Sequence, residues 1–122
     1  MASYTNYGTA DVAFAAPGGD AMYSKKDEIA YNFRGISQYV WALDMVMSLT
    51  NNGYSWSAGT SMAGPHVAGV AALIIGKHGS PMAPAQVLSV LRASADDLGK
   101  PGRDPYYGYG RVNALRAVTS VQ

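Results

Sequence analysis

With 122 residues, a formal charge of +1, 48% hydrophobic and 14% charged residues, the chain has the length of one domain and too little charge for a disordered segment or a nucleic-acid binder. No cluster of Lys or Arg sets up a long-range field, since Lys25-Lys26 is answered at once by Asp27-Glu28. The absence of cysteine removes disulfides and thiolate chemistry and leaves the compartment open.

Met1-Ala2-Ser3-Tyr4 has neither a basic n-region nor an apolar h-region, so nothing in this stretch directs export. No run reaches the roughly 18 apolar residues of a membrane helix. The longest candidate, residues 63–75, is rich in Gly and Ala and reads as a soluble core element.

Ser3-Tyr4-Thr5-Asn6-Tyr7-Gly8 is polar and aromatic. It leads into Asp11-Val12-Ala13-Phe14-Ala15-Ala16, a short apolar run stopped by Pro17-Gly18-Gly19, the pattern of a buried strand ended by a turn. Residues 23–34 turn polar and charged without a lasting period and read as a surface loop. Residues 38–49 are apolar apart from Asp44 and Ser48, and periodicity there does not separate helix from strand. Residues 45–50, Asn51-Asn52-Gly53 and Tyr54-Ser55-Trp56-Ser57 predict a hairpin, because Asn-Gly supplies the positive φ angles of a tight β-turn. That hairpin delivers the chain to Gly59, with Tyr54 and Trp56 either walling a pocket or forming cross-strand pairs.

Gly59-Thr60-Ser61-Met62-Ala63-Gly64-Pro65-His66-Val67-Ala68-Gly69 sets a serine at the mouth of a small-residue apolar run. Pro65 donates no N–H and is tolerable near a first turn, which places the helix start close to Ser61. The Ser61 hydroxyl and amide then lie at the positive pole of a helix, where a developing oxyanion is stabilised. Serine and threonine are also ordinary helix-start residues, so Gly-Thr-Ser alone says little. The interleaved small residues predict a buried central helix covered on most sides, ending at Lys77-His78-Gly79. Met62 reads equally as an oxidation-prone neighbour of the serine and as a gap-filler.

Pro84 opens a second helix running to about Ala95, with Val87, Val90, Leu91 and Ser94 on one face and the weak cap Ala83 before it. Residues 96–105 read as a loop. The closing Tyr106-Tyr107-Gly108-Tyr109-Gly110-Arg111-Val112-Asn113-Ala114 is aromatic and glycine-rich, and its Gly-x-Gly lacks the strand and third glycine of a phosphate loop.

Three of these segments, the eleven residues around Ser61, the Ser-Asn-Tyr-Gly, Asp-Val, Ala-Pro-Gly type block before it and the closing Gly-x-Gly to Asn-Ala stretch, resemble the subtilisin-like serine proteases, the subtilases. The resemblance covers nearly the whole chain and the C-terminal part of that family's catalytic domain. It implies an α/β fold with a mostly parallel sheet, a β-hairpin leading to a buried Ser-bearing helix, and C-terminal helices, residues 1–122 forming a single partial domain. It further implies Ser61 as the nucleophile of an acyl-enzyme, its own N–H as an oxyanion donor, and Ser57, Ala58, Gly59 and Thr60 as substrate-pocket and oxyanion wall. In the family the order is Asp, His, Ser, with an oxyanion Asn between the last two. This chain begins after all three upstream elements, and Asn6 sits too close to the Ala-Pro-Gly block to be that asparagine.

A serine hydroxyl needs a base, and the chain has two histidines. On a helix, His66 points about 140° away from Ser61, and His78 lies about 25 Å along the axis. The isolated chain is therefore expected to be inactive, a serine endopeptidase part completed by a complementary N-terminal segment. The alternative is a truncated or degenerate subtilase module that binds peptide or self-associates. An incomplete sheet would leave open edges that invite such pairing. No cofactor is expected in this chain. Calcium belongs to the complete family domain, where the Asp11 position contributes in some members, while here a strand-edge carboxylate is the better description. The family habit implies secretion of the parent protein.

Overall fold

The computed structural model describes residues 1–20 and 30–121, which fall into two compact units. The first comprises Met1–Thr5 and Pro17–Met62, the second Asn6–Ala16 and Ala63–Gln122.

The first unit is built from two antiparallel hairpins. Strands β1 (Ala30–Phe33) and β2 (Ile36–Tyr39) pair with Ala30 opposite Tyr39 and Phe33 opposite Ile36. The two residues between them, Arg34 (φ 52°) and Gly35 (φ 83°), both take the positive φ of a two-residue hairpin turn. The expected surface loop over 23–34 is thus corrected across Ala30–Phe33, while 23–29 lies outside the described residues. The undecided stretch 38–49 resolves into the end of β2, a short 3-10 helix (Val40–Asp44) and most of the next strand.

Strands β3 (Val46–Thr50) and β4 (Gly53–Ser57) form the expected hairpin. Its register pairs Thr50 with Gly53, so Asn51-Asn52 is the turn and Asn-Gly is not. Gly53 supplies its positive φ (141°) as the first residue of the returning strand instead. Cross-strand pairs Met47–Trp56 and Leu49–Tyr54 put four large apolar side chains on one exposed face.

The expected mostly parallel sheet is not confirmed among the described residues. All four named strands among the described residues pair antiparallel, and parallel pairing is confined to the isolated bridge between Ala15 and Arg111. Parallel neighbours need long crossover connections, whereas both strand pairs here are joined by two-residue turns.

Helix α1 (Thr60–His78) begins at the end of the first unit and continues into the second, where α2 (Pro84–Ser94) and α3 (Ala114–Thr119) follow. The α1 terminus matches its sequence signals: Gly79 takes φ 74° and donates its N–H to the Ile75 carbonyl at 3.2 Å. Ala83 offers no capping side chain, and the α2 start is closed by the Gln86 amide oxygen, which accepts the Ala83 N–H at 2.8 Å. Asn113 caps α3 by accepting the Arg116 N–H at 2.9 Å.

The core of the second unit is Val70 and Ile74 from α1, Val87 and Leu91 from α2, Ala117 from α3, and Val121, flanked by Phe14, Val67, Val90 and Val112. Buried Ser94 is satisfied by the Val90 carbonyl at 2.8 Å. The expectation that α1 is covered on most sides is corrected. Only Val70 and Ile74 are buried, while Leu73 is 54% and Ile75 39% exposed and Ala68, Gly69, Ala72 and Gly76 are open. The helix is apolar all round, but the residues packed on it within this unit cover a single stripe.

The closing segment is locked by backbone pairing. Tyr109 N–H reaches the Ala13 carbonyl at 2.8 Å, Val112 N–H the Ala15 carbonyl at 3.0 Å, and Asp96 and Arg111 exchange both N–H···O bonds. A Cβ on Gly108 would sit 2.2 Å from the Ala13 oxygen and one on Gly110 2.3 Å from the Asp96 oxygen. The Gly-x-Gly therefore exists so that three backbone segments can approach closely.

Candidate active site

Ser61 is the second residue of α1 and is exposed, with Thr60, also exposed, before it. An α-helix leaves its first N–H groups without intrahelical acceptors, so the Ser61 amide points out of the helix start beside its own hydroxyl. Pro65 has no N–H to return to the Ser61 carbonyl one turn back, so that carbonyl lacks its helical donor. No acidic side chain stands in the first turn to oppose the positive pole.

The chain reaches this position along β4. Ser57 is its exposed last residue, and Ala58 and Gly59 are half-buried in the connection to the helix. Gly59 holds φ 153°, while a Cβ there would meet nothing closer than the Met62 sulfur at 3.7 Å. Backbone conformation, and not space, is what requires glycine at this position. Half-buried Met62 donates its N–H to the Gly59 carbonyl at 2.9 Å, closing the first turn beneath Ser61.

What holds this connection was not visible in the sequence. The Gly59 N–H donates to the Gly18 carbonyl at 2.8 Å, so the Pro17-Gly18-Gly19 turn is the brace of the serine loop. Gly19 is packed so closely that a Cβ would lie 2.8 Å from the Asp44 oxygen and 3.3 Å from the Ala58 side chain. The Tyr4 hydroxyl donates to the Gly18 carbonyl at 3.1 Å and to that of Gly19, and Ser3 donates its N–H and hydroxyl to the Asp20 carboxylate at 2.8 and 3.0 Å. Tyr4, Gly18 and Gly19 therefore brace the connection that leads into α1. Local pattern marked the turn, but its partner lies 41 residues on by the numbering of Gly18 and Gly59.

The two histidines lie on α1, which runs unbroken from Thr60 to His78. His78 is engaged at its own helix terminus, where its Nδ1 stands 2.9 Å from the Ser80 hydroxyl. Asp11 is an exposed turn residue whose N–H donates to the Gly8 carbonyl at 3.2 Å. Among the described residues no group of three or more His, Cys, Asp or Glu is placed to hold a metal, and no helix is long and apolar enough to cross a membrane.

The depressed carboxylates lie in the second unit. Hydrogen bonds from Asn113 and then Arg111, with the charges of Arg116 and Arg111, hold Asp96 below the usual carboxylate range. Backbone N–H groups, that of Tyr107 foremost and then those of Tyr106 and Lys100, do the same for Asp104, whose side chain is buried at 2% exposure.

Comparison with known proteins bears on the same residues. A profile of the subtilase family matches residues 1–110. An extracellular serine protease of Serratia marcescens is 38% identical over 110 residues, a stretch that is 90% of this chain and 10% of that protein. A calcium-dependent protease of Nostoc sp. is 42% identical over 67 residues, 49% of this chain and 10% of its own. The crystal structure of a lanthipeptide protease superposes with a TM-score of 0.72 at 36% identity, covering 97% of this chain and 38% of that one. The chain thus spans well under half the length of each of these proteins, yet the family match runs from the first residues through the serine-bearing helix and into the closing Gly-x-Gly. On that extent of agreement, the chain belongs to the subtilase family.

Proposed function

We propose that residues 1–122 are the nucleophile-bearing share of a subtilisin-like serine endopeptidase domain, acting on peptide or protein substrates. The observation that carries this reading is Ser61, exposed in the first turn of a 19-residue helix behind a glycine whose backbone is braced by Gly18. In the reaction, Ser61 Oγ bonds to the scissile carbonyl carbon as its proton passes to a base. The oxyanion so formed is held in part by the Ser61 N–H, and the C–N bond breaks as the amine takes up the proton. Water then attacks the acyl-enzyme and releases the acid. Ser57, Ala58, Gly59 and Thr60 wall the substrate side.

The base is not supplied by His66 or His78, so the histidine, its aspartate and the oxyanion asparagine come from a complementary N-terminal segment outside these residues. Calcium, plausible in the family through its calcium-dependent member, is assigned to that complete domain, because the described residues alone do not group to bind it. Secretion of the parent protein follows the extracellular Serratia relative.

Fluorophosphonate labelling followed by mass spectrometry of the Ser61 peptide tests the reading. Labelling is expected when an N-terminal subtilase segment carrying Asp, His and Asn is added, and is expected to vanish in Ser61→Ala. Rapid labelling of the chain alone would overturn the assignment of the base to another segment. Failure even with the segment present would favour the second reading, a non-catalytic module, for which the exposed apolar side of α1 is the supporting observation.

A further inference from the structure

We propose that Arg92, Tyr109 and Arg103 of the second unit form a binding site for a tetrahedral oxyanion, phosphate or sulfate, free or carried as an ester. The Tyr109 ring is a well-anchored platform: its backbone N–H is tied to Ala13, Phe14 packs against it at 5.8 Å between centroids, and neighbouring Gly108 is packed so closely that an added Cβ would lie 2.2 Å from the Ala13 oxygen. Over this ring stand two guanidinium groups, Arg92 with its Cζ 4.2 Å from the centroid and Arg103 at 5.0 Å. Attraction to the ring face holds each of them, and like charge sets them against each other. Both side chains are exposed.

Carboxylates are close in sequence but already engaged. Asp96 takes Arg111, Arg116 and Asn113, Asp97 accepts the Gly102 N–H at 2.8 Å, and Asp104 accepts those of Tyr106 and Tyr107 at 2.7 and 2.8 Å. Among the described residues the ion pairs go to Asp96, and none goes to Arg92 or Arg103. The result is a doubly cationic pair whose planar forks match the oxygens of a phosphate and are pre-ordered by stacking, so little side-chain freedom is lost on binding. Their distances to one shared centroid leave the two Cζ atoms no more than about 9 Å apart. Arg92 is also in the last turn of α2, where helix polarity favours its charge and keeps it in place.

The test titrates the full chain with inorganic phosphate and, separately, O-phosphoserine, with serine as the uncharged control, at fixed ionic strength, following arginine side-chain and Tyr109 amide signals by NMR. Saturable shifts at Arg92, Arg103 and Tyr109 are expected, with affinity falling about tenfold in Arg92→Gln and in Arg103→Gln as one bidentate partner is lost. Lys77→Gln, the same charge change at the far end of α1, is expected to leave it unchanged, and Tyr109→Phe to retain it. Tighter binding of O-phosphoserine than of phosphate would identify an ester as the ligand, and equal binding the free ion. Non-saturating shifts spread over all basic residues, or equal weakening by Lys77→Gln, would overturn the site.

Discussion

Asp96 gathers Arg111, Arg116 and Asn113 around one carboxylate, joining the start of the 96–105 loop to the segment that caps α3. Its pKa, like that of Asp104, is lower folded than unfolded, so each contributes stability fully above the unfolded value. That contribution is lost as pH falls through the folded one. Acid denaturation is therefore expected to steepen below about pH 4, and Asp96→Asn is expected to flatten that limb in urea unfolding followed by circular dichroism. High salt should shrink the Asp96 effect, since both arginine partners are half-exposed. Gly108→Ala puts a Cβ 2.2 Å from the Ala13 oxygen at a φ of 63°. A loss of about 3 kcal/mol or more is expected in the same experiment, from strain and overpacking together.

At the scale of elements, α1 carries glycines that nothing among the described residues explains. Gly64, Gly69 and Gly76 have no neighbour within 4 Å of an added Cβ and ordinary helical φ. Alone, then, Gly69→Ala is expected to stabilise the chain by about 0.5 to 1 kcal/mol, the usual helix penalty of glycine. If another backbone packs there in the complete domain, the same change is expected to weaken association with the N-terminal segment, read by titration calorimetry. Stabilisation without weakened association would show that this face stays open. Asn113→Ala is expected to cost about 1 kcal/mol through loss of the α3 cap, measured by thermal unfolding.

For the molecule as a whole, the apolar surface left uncovered is more than solitary exposed residues. It includes the Met47, Leu49, Tyr54 and Trp56 face of the β3–β4 hairpin as well as Leu73 and Ile75 on α1. Light scattering coupled to gel filtration is expected to show concentration-dependent association of the chain alone, relieved when the proposed N-terminal segment is added. A strict monomer at high concentration would argue that these faces need no cover.

Much of this was legible in residue order. Gly59, Pro65 and Gly79 delimit α1, Pro84 opens α2, and the string around Ser61 identified the family, because caps, breakers and short motifs act over a few neighbouring residues. Other features were decided only in three dimensions: the Asn51-Asn52 turn, set by strand register; the brace from Gly18 to Gly59; the arginines gathered on Tyr109; and the bare side of α1. Each depends on which distant segment comes to lie alongside, and a small apolar run such as 63–75 reads the same whether its neighbours belong to this chain or to another.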